Sequence, residues 1–157
     1  MERAVIFFEP NGDLQNGVQP LALEAIQGKP VLYWMARALS GQGVTRFFLA
    51  APPRLWESLR VCAPHGAEFQ VSDRHDSLMA FLSTPETVAV FPRAALPIPQ
   101  AGAGFAYAVS GELLRQTWSV RMTNAVQDAQ LLSGWVPLYG RETLEELKPH
   151  FQPDKLP

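Results

Sequence analysis

Short apolar runs and stretches of helical spacing alternate along this chain. Ala4–Phe8 is a continuous apolar run too short for a helix, and it predicts a buried strand. A polar loop, Glu9 to Gln19, follows with Gly12 and Gly17 in it. The pivot of the pattern is Pro20–Leu39 (PLALEAIQGKPVLYWMARAL), centred on Gly28-Lys29-Pro30. Pro30 has its φ preset for a first helical turn and lacks the N–H that would go unpaired there, so a helix is predicted from this point. Val31, Trp34, Met35 and Leu39 form one apolar stripe at helical spacing, Arg37 and Ser40 lie off it, and Gly41 and Gly43 end it. A strand, a glycine-bearing loop and a helix packing back on the strand make the opening of a nucleotide-binding α/β unit.

The alternation continues. Thr45–Ala50 predicts a second strand, and Pro52-Pro53 opens a helix through Leu55, Leu59 and Val61 that ends before Pro64 and Gly66. Glu68–Val71 is a third strand, and Ser72 or Asp73 is placed to cap a helix over His75–Leu82. Thr87–Phe91 is a fourth strand, and the prolines and glycines from Pro92 to Gly104 predict a loop. Phe105–Val109 is a fifth strand and Gly111–Trp118 a helix; Val126–Leu132 has helical character; Trp135–Tyr139 is a last strand before a helix over Arg141–Lys148. Strands alternating with helices predict a single three-layer, Rossmann-like α/β/α domain around a mainly parallel sheet containing all six runs.

Composition narrows the function classes. With 157 residues, 47% of them hydrophobic, the chain can bury one sizeable core. A formal net charge of -2, with Lys and Arg scattered, gives no electrostatic reason to expect nucleic acid or an anionic membrane as a partner. No apolar run approaches the roughly 20 residues of a membrane span, and the N-terminal apolar stretch is too short for a signal peptide, so a cytoplasmic location is expected. The one cysteine, Cys62, fits a reducing compartment and reads as core packing rather than a nucleophile.

Most polar groupings read as structure. His65, His75 and His150 have no Cys or His neighbour at metal spacing. Asp73, His75 and Asp76 cluster at a helix start, where capping accounts for them, and Ser110 reads as a helix cap because Ser110-Gly111 lacks the flanking glycines of a nucleophile elbow. The aromatic residues Phe7, Phe8, Trp34, Phe47, Phe48 and Trp56 fall on predicted core faces.

The segment GKPVLYWMARALSGQGVTRFFLA, from Gly28 to Ala50, resembles the Gly-Lys-Pro-Met turn, helix, Gly-Ile and strand of sugar-nucleotide nucleotidyltransferases. The similarity is greatest to the N-terminal uridylyltransferase domain of bifunctional UDP-N-acetylglucosamine pyrophosphorylase/glucosamine-1-phosphate acetyltransferase. Thr87–Ile98, Tyr107–Leu114, Thr123–Leu131 and Leu138–Leu147 resemble later segments of that domain in the same order, so the resemblance spans nearly the whole chain. It implies a nucleotidyltransferase-type fold, with a sugar-binding lobe deleted between about 98 and 104.

Carried over residue by residue, the resemblance implies a degenerate site. The phosphate loop falls on Phe8 to Gln15, where the family's arginine has become Leu14 and where Glu9 and Asp13 add negative charge; Gly12 remains. Phosphate binding needs donors and positive charge, so the exchange is repulsive. The family's phosphate-contacting lysine falls on Leu21, its uracil-binding glutamine on Val71, and its Gly-Thr pair on Asp76-Ser77. Lys29 is a substitute cation in position only, since it belongs to the turn. The Gly-Asp that holds Mg²⁺ falls on Arg93-Ala94 and the second metal ligand, an asparagine, on Tyr139.

Three functional expectations follow. The preferred one is a catalytically silent relative kept for binding, regulation or assembly, with no catalytic residue, no metal site and no cofactor. Gly12, Asp13, Lys29 and Ser77 are then remnants of nucleotide binding, and a nucleotide or sugar nucleotide, a protein partner or a second copy is the expected partner. The second is an active sugar-phosphate nucleotidyltransferase with Mg²⁺ and ligands reassigned to Glu9, Asp13, Asp73 or Asp76. The third is a binding module that takes a nucleotide at the carboxyl ends of the strands without turnover.

Overall fold

The computed structural model describes residues 1–8, 20–102, 104–117 and 129–157. Strand β1 (Arg3–Phe7) lies inside the central sheet, which explains its unbroken apolar run. A hairpin of β2 (Ala25–Ile26) and β3 (Lys29–Pro30) precedes helix α1 (Val31–Ser40). Then come β4 (Arg46–Ala50), a 3-10 turn at Pro53–Leu55, α2 (Trp56–Arg60), β5 (Glu68–Ser72) and α3 (His75–Phe81). The second half holds β6 (Thr87–Phe91), β7 (Ala95–Pro97), β8 (Tyr107–Ser110), α4 (Gly111–Thr117), β9 (Gln130–Leu131), β10 (Trp135–Pro137) and α5 (Arg141–Leu147).

The central sheet runs β5-β4-β1-β6-β8-β9, parallel through β6 and antiparallel at β8 and β9. Side chains alternate across it. Ala4, Ile6, Phe47, Leu49, Val71 and Ala89 face one side, toward the apolar residues of α1 and α2. Val5, Phe48, Val88, Val90 and Tyr107 face the other, packed with Leu78 and Phe81 of α3 and Leu114 of α4. The domain is therefore a mixed α/β fold with a mainly parallel sheet between helical layers, as the alternation predicts.

Helix α1 carries the expected stripe inward, with Val31, Trp34, Met35 and Leu39 all buried. Its start differs from expectation. Pro30 is extended (ψ 152°) and pairs with Ala25 in the hairpin, so it caps the helix from outside rather than filling its first turn. The hairpin turn itself needs left-handed backbone, supplied by Gln27 (φ 50°) and Gly28 (φ 83°). At the far end Gly43 takes φ 100° and Val44 N–H returns to Leu39 C=O (3.0 Å), the left-handed stop that a glycine provides.

Other expectations are corrected. The run at Trp135 does not join the central sheet: β10 pairs antiparallel with β7, a strand inside the stretch expected to be loop. Pro97 was a reason to expect loop, but it sits where its missing N–H faces away from β10. Of the predicted helix at 126–132, residues 126–128 lie outside the described residues, and Gln130–Leu131 is the edge strand β9. Neither Ser72 nor Asp73 caps α3: Arg74 stands at the N-cap position and makes no side-chain capping bond, and the Ser72 hydroxyl is turned to the Arg74 N–H (3.0 Å). Ser110 does accept the Leu113 N–H (3.4 Å), as a cap should.

Candidate functional site

A cleft of about 360 Å³ opens at the carboxyl ends of β1, β4 and β5. The parallel register puts these ends level, with Phe7 beside Ala50 and Ala50 beside Ser72. Pairing continues one step past each strand: Phe8 N–H donates to Ala50 C=O (3.0 Å) and Ala51 N–H to Ser72 C=O (3.1 Å). Trp56 Nε1–H then ties the Ala51 C=O (2.8 Å), holding the turn at Pro52. Phe7, Phe48, Ala50 and Leu78 give the cleft apolar walls, and Ser72, Asp73, Arg74 and His75 give it a polar rim.

The rim is internally bonded. Arg74 grips Asp76 with Nε (3.0 Å) and Nη2 (2.8 Å), and Asp76 also accepts the Ser77 N–H (3.0 Å). The hydrogen bonds from Arg74 hold the Asp76 carboxyl below the usual carboxylate range, and the same bonds raise Arg74. The pair stands fully in solvent, so it organises the loop more than it stabilises the fold. One guanidinium, Arg74, and the His75 imidazole stand there between two carboxylates, Asp73 and Asp76. That balance suits a polar ligand better than a bare polyanion.

No family model matches the chain, and no curated protein does. A solved structure, that of HddC from Yersinia pseudotuberculosis, is similar with a TM-score of 0.44 and 20% identity over 62% of this chain. The match spans 49% of the HddC chain, about half its length.

The residues singled out from the sequence are dispersed. Gly12 and Asp13, with the rest of the 9–19 stretch that follows β1, lie outside the described residues. Ser77 is in α3 next to the cleft but does not line it. Lys29 is in the hairpin before α1, its Nζ 5.1 Å from the centroid of the Tyr33 ring, and does not line the cleft. Leu21 is in the main core at 1% exposure, and Val71 points into that core on the sheet face away from the cleft.

The positions aligned with the metal ligands are brought together. Leu138 N–H donates to Ala94 C=O (2.9 Å), extending the β7–β10 pairing by one residue pair. Arg93 and Tyr139, the next residues outward, then meet, with the guanidinium carbon 4.8 Å from the ring centroid. Ala94 is fully buried and offers no oxygen but its bonded carbonyl, while Tyr139 is 65% exposed. Among the described residues no three His, Cys, Asp or Glu side chains gather where they could hold a metal ion.

Sequence reasoning missed the cleft's composition. Phe7 and Phe48 were assigned to core packing, and both are partly that, yet they end or precede the end of neighbouring parallel strands on one sheet face. The available signal was the position of these residues at strand carboxyl ends, the usual place for ligands in open α/β sheets. Cys62 is buried, its Sγ–H directed at Ser58 C=O (3.3 Å), and burial pushes its thiol up to about 11, which keeps it protonated and unreactive. No helix among the described residues is long and apolar enough to cross a membrane.

Proposed function

We propose that this chain is a nucleotidyltransferase-like domain, resembling an N-acetylglucosamine-1-phosphate uridylyltransferase, that holds a nucleotide or sugar nucleotide without transferring it. Its role is then binding, regulation or assembly. The observation that carries this reading is the stacking of Arg93 on Tyr139, which sets a guanidinium beside Ala94 and over Tyr139, the two positions where the resemblance calls for Mg²⁺ ligands. Nucleotidyl transfer needs a divalent cation bridging phosphate oxygens, and a guanidinium repels that cation. Leu21, buried in the core, supports the same reading, because no cation reaches a phosphate from that position.

Binding without turnover is supported by the cleft at the strand ends, which has an apolar wall for a ring and hydrogen-bonding groups on its rim. The test is a thermal-shift series with nucleoside triphosphates and UDP-sugars, with and without Mg²⁺. A ligand at about 100 times its Kd adds roughly 2.7 kcal/mol to stability. A shift that needs no Mg²⁺ and disappears when Ala50→Leu fills the cleft is the expected result. A shift that requires Mg²⁺ and comes with pyrophosphate release would replace this reading with the active one.

A further inference from the structure

We propose that the outer edge of β5 is a homodimer interface, at which two copies of this chain join antiparallel β5 strands into one continuous sheet. Glu68 N–H donates to Thr45 C=O (2.8 Å) and Ser72 C=O accepts from Ala51 N–H (3.1 Å), so residues 68, 70 and 72 turn their backbone toward β4. By the strict alternation of a strand, Phe69 and Val71 turn their N–H and C=O groups outward, where no strand among the described residues pairs with them.

Among the described residues, the β7–β10 ribbon and the far edge of the central sheet are blunted, and this edge carries no such device. On the β7–β10 ribbon the outward-facing positions include Pro97 and Pro137, which have no N–H, and the opposite edge of the central sheet is the two-residue β9. Strand β5 is five residues long with no proline and no lysine. Its side chains point the same way. Phe69 packs edge-on against Phe47 (ring centroids 5.3 Å apart) yet is only half-buried, and Val61, at the end of the overlying α2, is 82% exposed. Chain-edge pairing would cover apolar surface that the monomer leaves open.

A second copy is the occupant because the strand is complementary to itself. With the two-fold axis at Gln70, Phe69 lies opposite Val71 of the other copy and exchanges both backbone hydrogen bonds with it, twice by symmetry. Gln70 meets the Gln70 of the other copy, where two side-chain amides satisfy each other. Glu68 lies opposite Ser72 of the other copy, so no like charges are opposed across the pairing. An edge-to-edge contact of this size belongs with the small, reversible interfaces, and a micromolar dimer is expected. The proposal is independent of any ligand at the cleft.

The test uses the full chain. Sedimentation velocity from about 1 to about 500 µM should show a monomer–dimer equilibrium, a span that brackets a micromolar Kd. Hydrogen exchange should slow at the Phe69 and Val71 amides as concentration rises, with Gln70 unchanged. Gln70→Lys, a substitution at an exposed position, should weaken the dimer by at least about fivefold by setting like charges across the axis. Gln70→Cys should cross-link under mild oxidation, because directly opposed Cβ atoms suit a disulfide, whereas Glu68→Cys should not. A monomer throughout the range overturns the proposal, as does a dimer in which Phe69 and Val71 exchange as in the monomer or in which Gln70→Cys fails to cross-link.

Discussion

Arg93 rests its guanidinium over the ring of Tyr139, 4.8 Å from carbon to centroid, and the hydrogen bond from Leu138 to Ala94 beneath them fixes that approach. The arrangement is a local consequence of β7 pairing with β10, which sets residues 93 and 139 at the same end of the ribbon.

Restoring one carboxylate at this place should fail for a physical reason. Ala94 is fully buried, so Ala94→Asp places an unpaired carboxylate in the core and should destabilise the protein by on the order of 3–5 kcal/mol. Urea denaturation measures the loss, and pyrophosphate release should stay at background. A variant as stable as the parent would mean that the Ala94 side chain reaches solvent.

Trp34 anchors α1. It is buried, donates Nε1–H to Ile26 C=O (2.8 Å) and meets Phe151 edge-on at 5.2 Å. Trp34→Ala should therefore lower stability by roughly 3–5 kcal/mol through cavity formation and lost burial, and a loss under about 1 kcal/mol in chemical denaturation would contradict this packing.

The reach of the sequence can be judged from such elements. The α1 stripe and the apolar runs of β1, β4 and β6 were legible because burial of one face imposes a period on the chain. Strand β10 was legible as a strand over Trp135–Tyr139 but not its partner, because the prolines and glycines around Pro97 mask β7, a strand whose unpaired side faces outward. Of the candidate site, the exchange at Arg93, Ala94 and Tyr139 was readable as composition, but their meeting depends on a pairing of residues about 40 apart in the chain, which no local pattern encodes.

Gly111 sits where α4 leaves β8, and a Cβ there would come within 2.6 Å of Leu82 C=O and 2.9 Å of Thr84 C=O. Both are backbone atoms that cannot swing aside. Gly111→Ala should destabilise by about 1–3 kcal/mol, read from the thermal midpoint, and a neutral result would mean that the 82–84 segment yields.

Tyr107 carries a buried hydroxyl with no hydrogen-bond partner among the described residues, and burial pushes its phenol up to about 12. Tyr107→Phe should leave stability at pH 7 unchanged or raise it by up to about 1–3 kcal/mol, since an unsatisfied polar atom is removed. The alkaline limb follows the same residue. Between the ordinary phenol value of 10.0 and about 12, the unfolded chain loses the proton first and binds fewer protons than the native state, so stability is full below pH 10 and falls as pH rises through 12. Cys62 adds a loss of the same sign between 9.0 and about 11. Tyr107→Phe should leave only the Cys62 part of that decline, and an unchanged decline in denaturation midpoints would remove Tyr107 as a cause.

Catalytic silence is tested most directly by pyrophosphate release from UTP and N-acetylglucosamine 1-phosphate in Mg²⁺ or Mn²⁺, followed with a coupled assay on the unmodified chain. Loss of a single transition-state contact lowers the rate by a factor of about 100 to 1,000, and contacts that act as a unit fail together. With Leu14 and Leu21 in place of cations, and Ala94 and Tyr139 in place of metal ligands, release should be indistinguishable from background. Robust turnover that is abolished by substituting Asp13 or Asp76 would contradict the account and establish an active enzyme with reassigned ligands.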